Sequence, residues 1–221
     1  MKAILAVFDN DGTLCDTQEV EGACYARAVE SVTGKSLSSL DWGLHAEPTS
    51  SAIVRSLLAG DPDAAGKEAA IEREFTRLLG EERAAFPGDF SPVRGAVAFL
   101  GRLADEGICP VAIATGCFAA SARYKLECCG IDLGAYPHAT SSDTPRRSDI
   151  IRLAASRAGF DIGSVVYFGD APWDVRACAA LGIPMIGMGR RHGRLRELGI
   201  RHAFRDYSDP DAIIGAIRAG G

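Results

Sequence analysis

The 221-residue sequence has no excess of positive charge: 24 Lys and Arg stand against 29 Asp and Glu, for a net charge of −5. That excludes the strongly basic class of nucleic-acid binders. No apolar run approaches the roughly 18–20 residues needed to span a bilayer. Neither a nucleic acid nor a membrane is therefore expected as a partner. Cysteine is present seven times, but there is no Cys-x-x-C, and an odd number spread mostly singly outlines neither a zinc site nor a disulfide framework. Reduced thiols in a cytoplasmic protein are the expectation. The four histidines, at 45, 138, 192 and 202, are scattered rather than clustered. Repeats and low-complexity tracts are missing too. With 47% hydrophobic and 24% charged residues, the composition is that of an ordinary globular chain of one or two domains, not a disordered or collagen-like one.

The apolar run Ile4–Phe8 stops at Asp9-Asn10-Asp11-Gly12, the pattern of a buried strand entering a turn. It is too short for the apolar stretch of a signal peptide. From Gln18 to Ala85 the character changes. Helical spacing is found in Val20–Val32, Ser51–Leu58 and Ala64–Leu79, with no convincing strand. The Pro/Gly-rich segment Phe86–Pro92 suits a hinge. Beyond it, strands at Pro110–Ala114, Val165–Phe168 and Pro184–Ile186 alternate with helices over Val93–Glu106, Phe118–Cys129, Ser148–Ala158, Asp174–Leu181 and Asp209–Ala219. This alternation predicts an α/β fold, a doubly wound, Rossmann-like parallel sheet. A helical cap over residues 17–86 would be inserted after the first strand, leaving residues 1–16 and 87–221 as the core.

In open α/β sheets the chemistry lies beyond the carboxyl ends of the strands. That rule selects Asp9–Thr13, Thr115-Gly116 and Gly169–Asp174. Asp9 and Asp11 would point the same way if strand geometry persisted, a spacing suited to one carboxylate attacking while the other moves a proton. A purely polar turn is the alternative for this stretch, and helix N-terminal charge complementarity is the alternative for Asp174. Several ionised aspartates at one sheet edge repel one another, by about 4 kcal/mol per pair at ~4 Å and an effective dielectric near 20. A hard divalent cation such as Mg²⁺ relieves this, bound through one or two carboxylates, waters and a substrate phosphate.

These residues resemble the haloacid dehalogenase-like hydrolase superfamily, most closely its phosphatase branch related to phosphoglycolate phosphatases and β-phosphoglucomutases. Asp9-Asn10-Asp11-Gly12-Thr13-Leu14-Cys15-Asp16-Thr17 matches the D-x-D-G-T-L-x-D-T motif at every fixed position. Val111–Thr115 matches the second motif and Gly169–Asp174 the G-D-x-x-x-D motif. The resemblance implies Asp9 as nucleophile and Mg²⁺ ligand, and Asp11 as general acid and base whose backbone carbonyl also reaches the metal. It implies Thr115 and the Gly116 N–H as holders of the phosphoryl oxygens. Asp170 would be the main carboxylate ligand and Asp174 a second one.

Two departures stand out. A lysine is usual in the third motif, but the corresponding stretch is Asp143–Ile151, where Arg147 takes the Lys role by spacing and Arg146 is the fallback. An Asn frequently follows the Thr of the second motif, and here the residue is Gly116. The carboxylate at Asp11 separates the chain from dehalogenases and phosphonoacetaldehyde hydrolases. The latter use a cap lysine, for which only Lys35 and Lys67 offer themselves. The resemblance implies a Mg²⁺-dependent phosphatase acting on a small phosphorylated metabolite. A sugar-phosphate mutase and a non-catalytic Mg²⁺/phosphate-binding module are the alternatives. A monomer or homodimer is expected. Candidate substrate contacts are Gln18, Glu19, Tyr25, His45, Thr49 and Arg55, with Trp173 at the entrance.

Overall fold

The computed structural model describes residues 3–37 and 39–220. Its strands are β1 (Leu5–Phe8), β2 (Cys15–Asp16), β3 (Ser91–Pro92), β4 (Val111–Ala114), β5 (His138–Ala139), β6 (Val165–Gly169), β7 (Met185–Gly187) and β8 (His202–Ala203). The helices are α1 (Gln18–Thr33), α2 (Ser50–Leu57), α3 (Ala64–Ala85), α4 (Ala96–Asp105), α5 (Ala119–Cys128), α6 (Arg147–Arg157), α7 (Pro172–Leu181), α8 (His192–Glu197) and α9 (Pro210–Arg218).

Six strands form a sheet in the order β5-β4-β1-β6-β7-β8, with every pairing parallel. Leu5–Phe8 is wholly apolar because both faces of a parallel sheet are covered. Its side chains alternate between two cores. Ala6 and Phe8 join Ile113, Val166 and Phe168 on one face, and Leu5 and Val7 join Ala112, Ala114, Val165 and Tyr167 on the other. Phe8 stacks on Phe168 with ring centroids 4.2 Å apart. The central strand is thereby anchored on both sides, and its end is a rigid platform. Strand order reverses at β1, which lies between β4 and β6, so the crevice of the fold opens there.

The chain leaves the sheet through β2 and returns through β3. These pair antiparallel, Cys15 opposite Pro92 and Asp16 opposite Ser91. Between them, α1, α2 and α3 enclose a core of their own, built from Tyr25, Val29, Val54, Phe75 and Leu79 among others. Tyr25 sits at its centre, edge-on to Trp42 and Phe75 at 5.5 Å each. No helix among the described residues is long and apolar enough to cross a membrane.

The principal predicted helices and strands form within a few residues of expectation, α3 running on to Ala85. The two-residue strands β5 and β8, the β2–β3 ribbon and α8 lie outside the sequence reading. Two-residue strands have no periodicity of their own and are defined by the neighbour they pair with.

Candidate active site

Asp9 follows β1 directly, and its N–H donates to the Phe168 carbonyl at 2.9 Å, so the end of β1 is tied to β6. The chain then turns sharply. The Asn10 carbonyl accepts from the N–H groups of Thr13, Leu14 and Cys15, and Gly12 adopts φ 76°. A Cβ at Gly12 would stand 2.5 Å from the Asp170 carboxylate, so only glycine permits this approach. The extended geometry that would keep Asp9 and Asp11 on one face stops at Phe8. This corrects the expectation of a single carboxylate group. The two side chains enter different clusters.

In the first cluster, carboxylate oxygens of Asp9, Asp170 and Asp174 all lie within 4.8 Å of one another. All three residues are buried. Asp174, in the first turn of α7, is the most constrained. Its Oδ2 accepts from the N–H groups of Asp170 and Ala171 at 3.2 and 3.1 Å, and its Oδ1 from Arg147 Nη1 at 2.9 Å. Gln18 donates its amide to Asp170. Arg147, at the start of α6, reaches in with Nη1 3.4 Å from Asp9. Its Nε is buried and has no hydrogen-bond partner among the described residues. Arg146 is exposed instead. A guanidinium in this place demands space, and position 116 supplies it: a Cβ there would stand 2.5 Å from Arg147 Nη2. Arg147 and the absence of a side chain at Gly116 are one steric unit.

Three acids against one arginine leave this cluster short of positive charge. Burial, with Asp174 and Asp11 nearby, pushes Asp9 up to about 7 against the pull of Arg147. Burial likewise raises Asp170 well above the usual carboxylate range, reinforced by Asp174 and Asp9. The donor set is all oxygen, with no His or Cys in it, which fits a hard divalent cation such as Mg²⁺ rather than zinc.

The second cluster centres on Asp11. Thr17 Oγ1 donates to its Oδ1 at 2.5 Å, while Cys117 Sγ and Lys125 Nζ donate to Oδ2 at 2.9 and 2.6 Å. Lys125 also pairs with Glu21 of α1 at 2.8 Å. Burial raises Asp11, but Lys125, Cys117 and Thr17 more than reverse this, and its carboxyl stands below the ordinary value. Lys125 is fully buried. It is not among the sequence candidates, since a lysine is expected only in the third-motif stretch Asp143–Ile151 or in the cap, at Lys35 or Lys67. No periodicity marks it, because the covered stripe of α5 that it shares with Ser121 and Ala122 is not distinctly apolar.

Both clusters open into one cavity of about 460 Å³, lined by the sheet edge on one side and by α1, α2 and the Leu40–Pro48 loop on the other. Thr115 and Gly116, which follow β4, line it, as do Gln18, Glu19, Tyr25, Thr49 and Trp173. His45 and Arg55 do not, and Arg55 is engaged with Glu68 at 2.9 Å.

The α/β sheet thus carries a buried aspartate trio at its switch point, beside a fourth, separately engaged aspartate. A family model of the haloacid dehalogenase-like hydrolases matches residues 5–182, and the chain belongs to that family. Among solved structures it is similar to a hydrolase from Pseudomonas syringae, at 20% identity and TM-score 0.72, covering 97% of this chain and 99% of that one. It is similar to CbbY from Rhodobacter sphaeroides in complex with phosphate, at 19% identity and TM-score 0.68, covering 94% and 96% of the two chains. A mutant CbbY in complex with xylulose-(1,5)bisphosphate is similar at 18% identity and TM-score 0.69, with 94% and 96% covered. No curated protein matches the chain in sequence.

Proposed function

We propose that the protein is a Mg²⁺-dependent phosphomonoesterase that works through an aspartyl-phosphate. The observation that carries this reading is the separation of Asp9 from Asp11. One carboxylate stands among acids beside Arg147, and the other, two residues on, is set apart among proton donors.

Asp9, Asp170 and Asp174 would hold Mg²⁺, with the Asp11 backbone carbonyl completing the protein's share. Bound there, the ion would offset part of the negative charge of the trio and the phosphate, lessening a charge balance that otherwise repels the substrate. An Asp9 oxygen attacks phosphorus. The P–O bond to the alcohol breaks, and the leaving oxygen takes a proton from Asp11. Asp11 then removes a proton from the water that attacks phosphorus, freeing Asp9 and inorganic phosphate. In the free protein Asp11 stands ionised, the form the second half requires. For the first half, Asp11 takes up a proton from solvent or from the monoprotonated phosphate ester, because Lys125 and Cys117, both raised, keep theirs. The Thr115 hydroxyl, the Gly116 N–H and Arg147 hold the phosphoryl oxygens. The helices α1–α3 serve as a cap that excludes water and selects the alcohol.

Turnover of p-nitrophenyl phosphate tests this. It is expected with Mg²⁺, absent with EDTA, and reduced by roughly 10⁴-fold or more in Asp9→Asn. Full activity of Asp9→Asn would refute the nucleophile assignment.

A further inference from the structure

The alcohol side of the cavity differs in chemistry from the phosphate side. Every cation that lines the cavity among the described residues, Arg147, Arg190 and Arg191, comes from the sheet side. None comes from α1, α2 or the Leu40–Pro48 loop. Arg190 is bound to Asp16 at 2.5 Å and faces Glu19 at 3.8 Å. Arg191 is exposed at the mouth and acts electrostatically on Asp170.

Several polar groups of the opposite wall are already engaged. The Tyr25 hydroxyl donates to the Ser50 carbonyl at 2.7 Å, and the Thr49 hydroxyl to the Pro145 carbonyl at 2.6 Å. Glu21 is held by Lys125 at 2.8 Å. What remains towards the cavity is uncharged and mostly apolar: Val20, Leu40, Pro48, Ile53, the Tyr25 ring and Trp42, with the neutral Ser50 hydroxyl beside them. At the mouth, the exposed Glu19 and Asp89 add negative charge.

A leaving group with a carboxylate or a second phosphate would lose hydration against this wall and gain no cationic partner there. A flat, uncharged leaving group would be covered by the two aromatic rings and the aliphatic side chains beside them. We propose that the protein selects phosphate monoesters of uncharged alcohols with a flat apolar face, aryl or nucleoside-like, over esters whose alcohol portion carries a second anion. This rests on the phosphomonoesterase reading and narrows it. It also separates this chain from the CbbY complex, whose bound molecule is a bisphosphate.

The test is kcat/KM with Mg²⁺ on p-nitrophenyl phosphate, thymidine 5′-monophosphate, phosphoglycolate, fructose 1,6-bisphosphate and phosphocholine. The expected result is at least a ~10-fold preference for the first two over the rest. In Trp42→Ala, KM for thymidine monophosphate rises about 10-fold, and Trp42→Phe restores most of the loss. Leu40 is half-exposed at the rim, so Leu40→Lys leaves the fold intact, and the added cation raises kcat/KM for phosphoglycolate. Preference for phosphoglycolate, the bisphosphate or phosphocholine in the wild type overturns the proposal while leaving the phosphomonoesterase reading standing. Failure to turn over any ester overturns both.

Discussion

The two aspartates of the first loop are two residues apart, equally buried and opposite in character. Asp9 shares its space with two further acids and one arginine, and its carboxyl rises to about 7. Asp11 shares its space with a lysine, a thiol and a hydroxyl, and its carboxyl falls below the ordinary value. Burial acts on both in the same direction, so the difference comes from the company each side chain keeps. The backbone turn after Phe8 sends Asp9 and Asp11 among different sets of partners. One is short of positive charge and suited to a cation and a phosphate. The other is close to internally balanced and suited to handling protons.

Removing the balance of the second compartment has the largest expected effect. Lys125→Met leaves Asp11 and Glu21 without their shared partner in a buried place, a loss of about 3–5 kcal/mol in chemical denaturation. Glu21→Gln, which spares the Asp11 pair, costs less. Equal losses in the two variants would show that Lys125 serves Glu21 rather than Asp11.

In the first compartment the steric unit of Arg147 and Gly116 can be broken from either side. Gly116→Ala drives a methyl into the guanidinium and raises KM by roughly 10–100-fold. Arg147→Lys combined with Gly116→Ala recovers part of that loss, because the lysine head is slimmer. Additive losses in the double variant would refute the coupling. Arg146→Ala, at an exposed site, changes kinetics far less than Arg147→Ala.

The smallest effect lies outside both compartments. Asp143 is lowered despite partial burial, by Arg157 and by the Thr140 N–H and hydroxyl. A carboxyl lowered on folding contributes stability above its unfolded value, near 3.9, and loses it as pH falls through the folded value. The Tm advantage of wild type over Asp143→Asn is therefore present at pH 6 and shrinks below about pH 4. An advantage that persisted at pH 2 would contradict the assignment.

Much of this arrangement is legible in residue order alone. Leu5–Phe8, Val111–Ala114 and Val165–Gly169 announce themselves by apolar runs, and the strand-end rule then places Asp9, Thr115 and Asp170 at one crevice. Arg147 is found by its spacing to α6. The division between Asp9 and Asp11 is not legible, because it depends on a turn closed by the Asn10 carbonyl and on a lysine more than a hundred residues away. Lys125 looks like any helical lysine until packing shows which face of α5 is covered. The alcohol-side wall is likewise a product of packing, since Trp42 and Leu40 lie in a loop without periodicity.

Mg²⁺ binding measured by calorimetry on Asp170→Asn and Asp11→Asn, alongside turnover of p-nitrophenyl phosphate, tests the two-compartment account most directly. Asp170→Asn is expected to lose Mg²⁺ affinity by at least ~10-fold, together with activity. Asp11→Asn is expected to keep Mg²⁺ affinity while turnover falls by roughly 10²–10⁴-fold. Equal loss of Mg²⁺ affinity in both variants, or unchanged turnover in Asp11→Asn, would contradict the division.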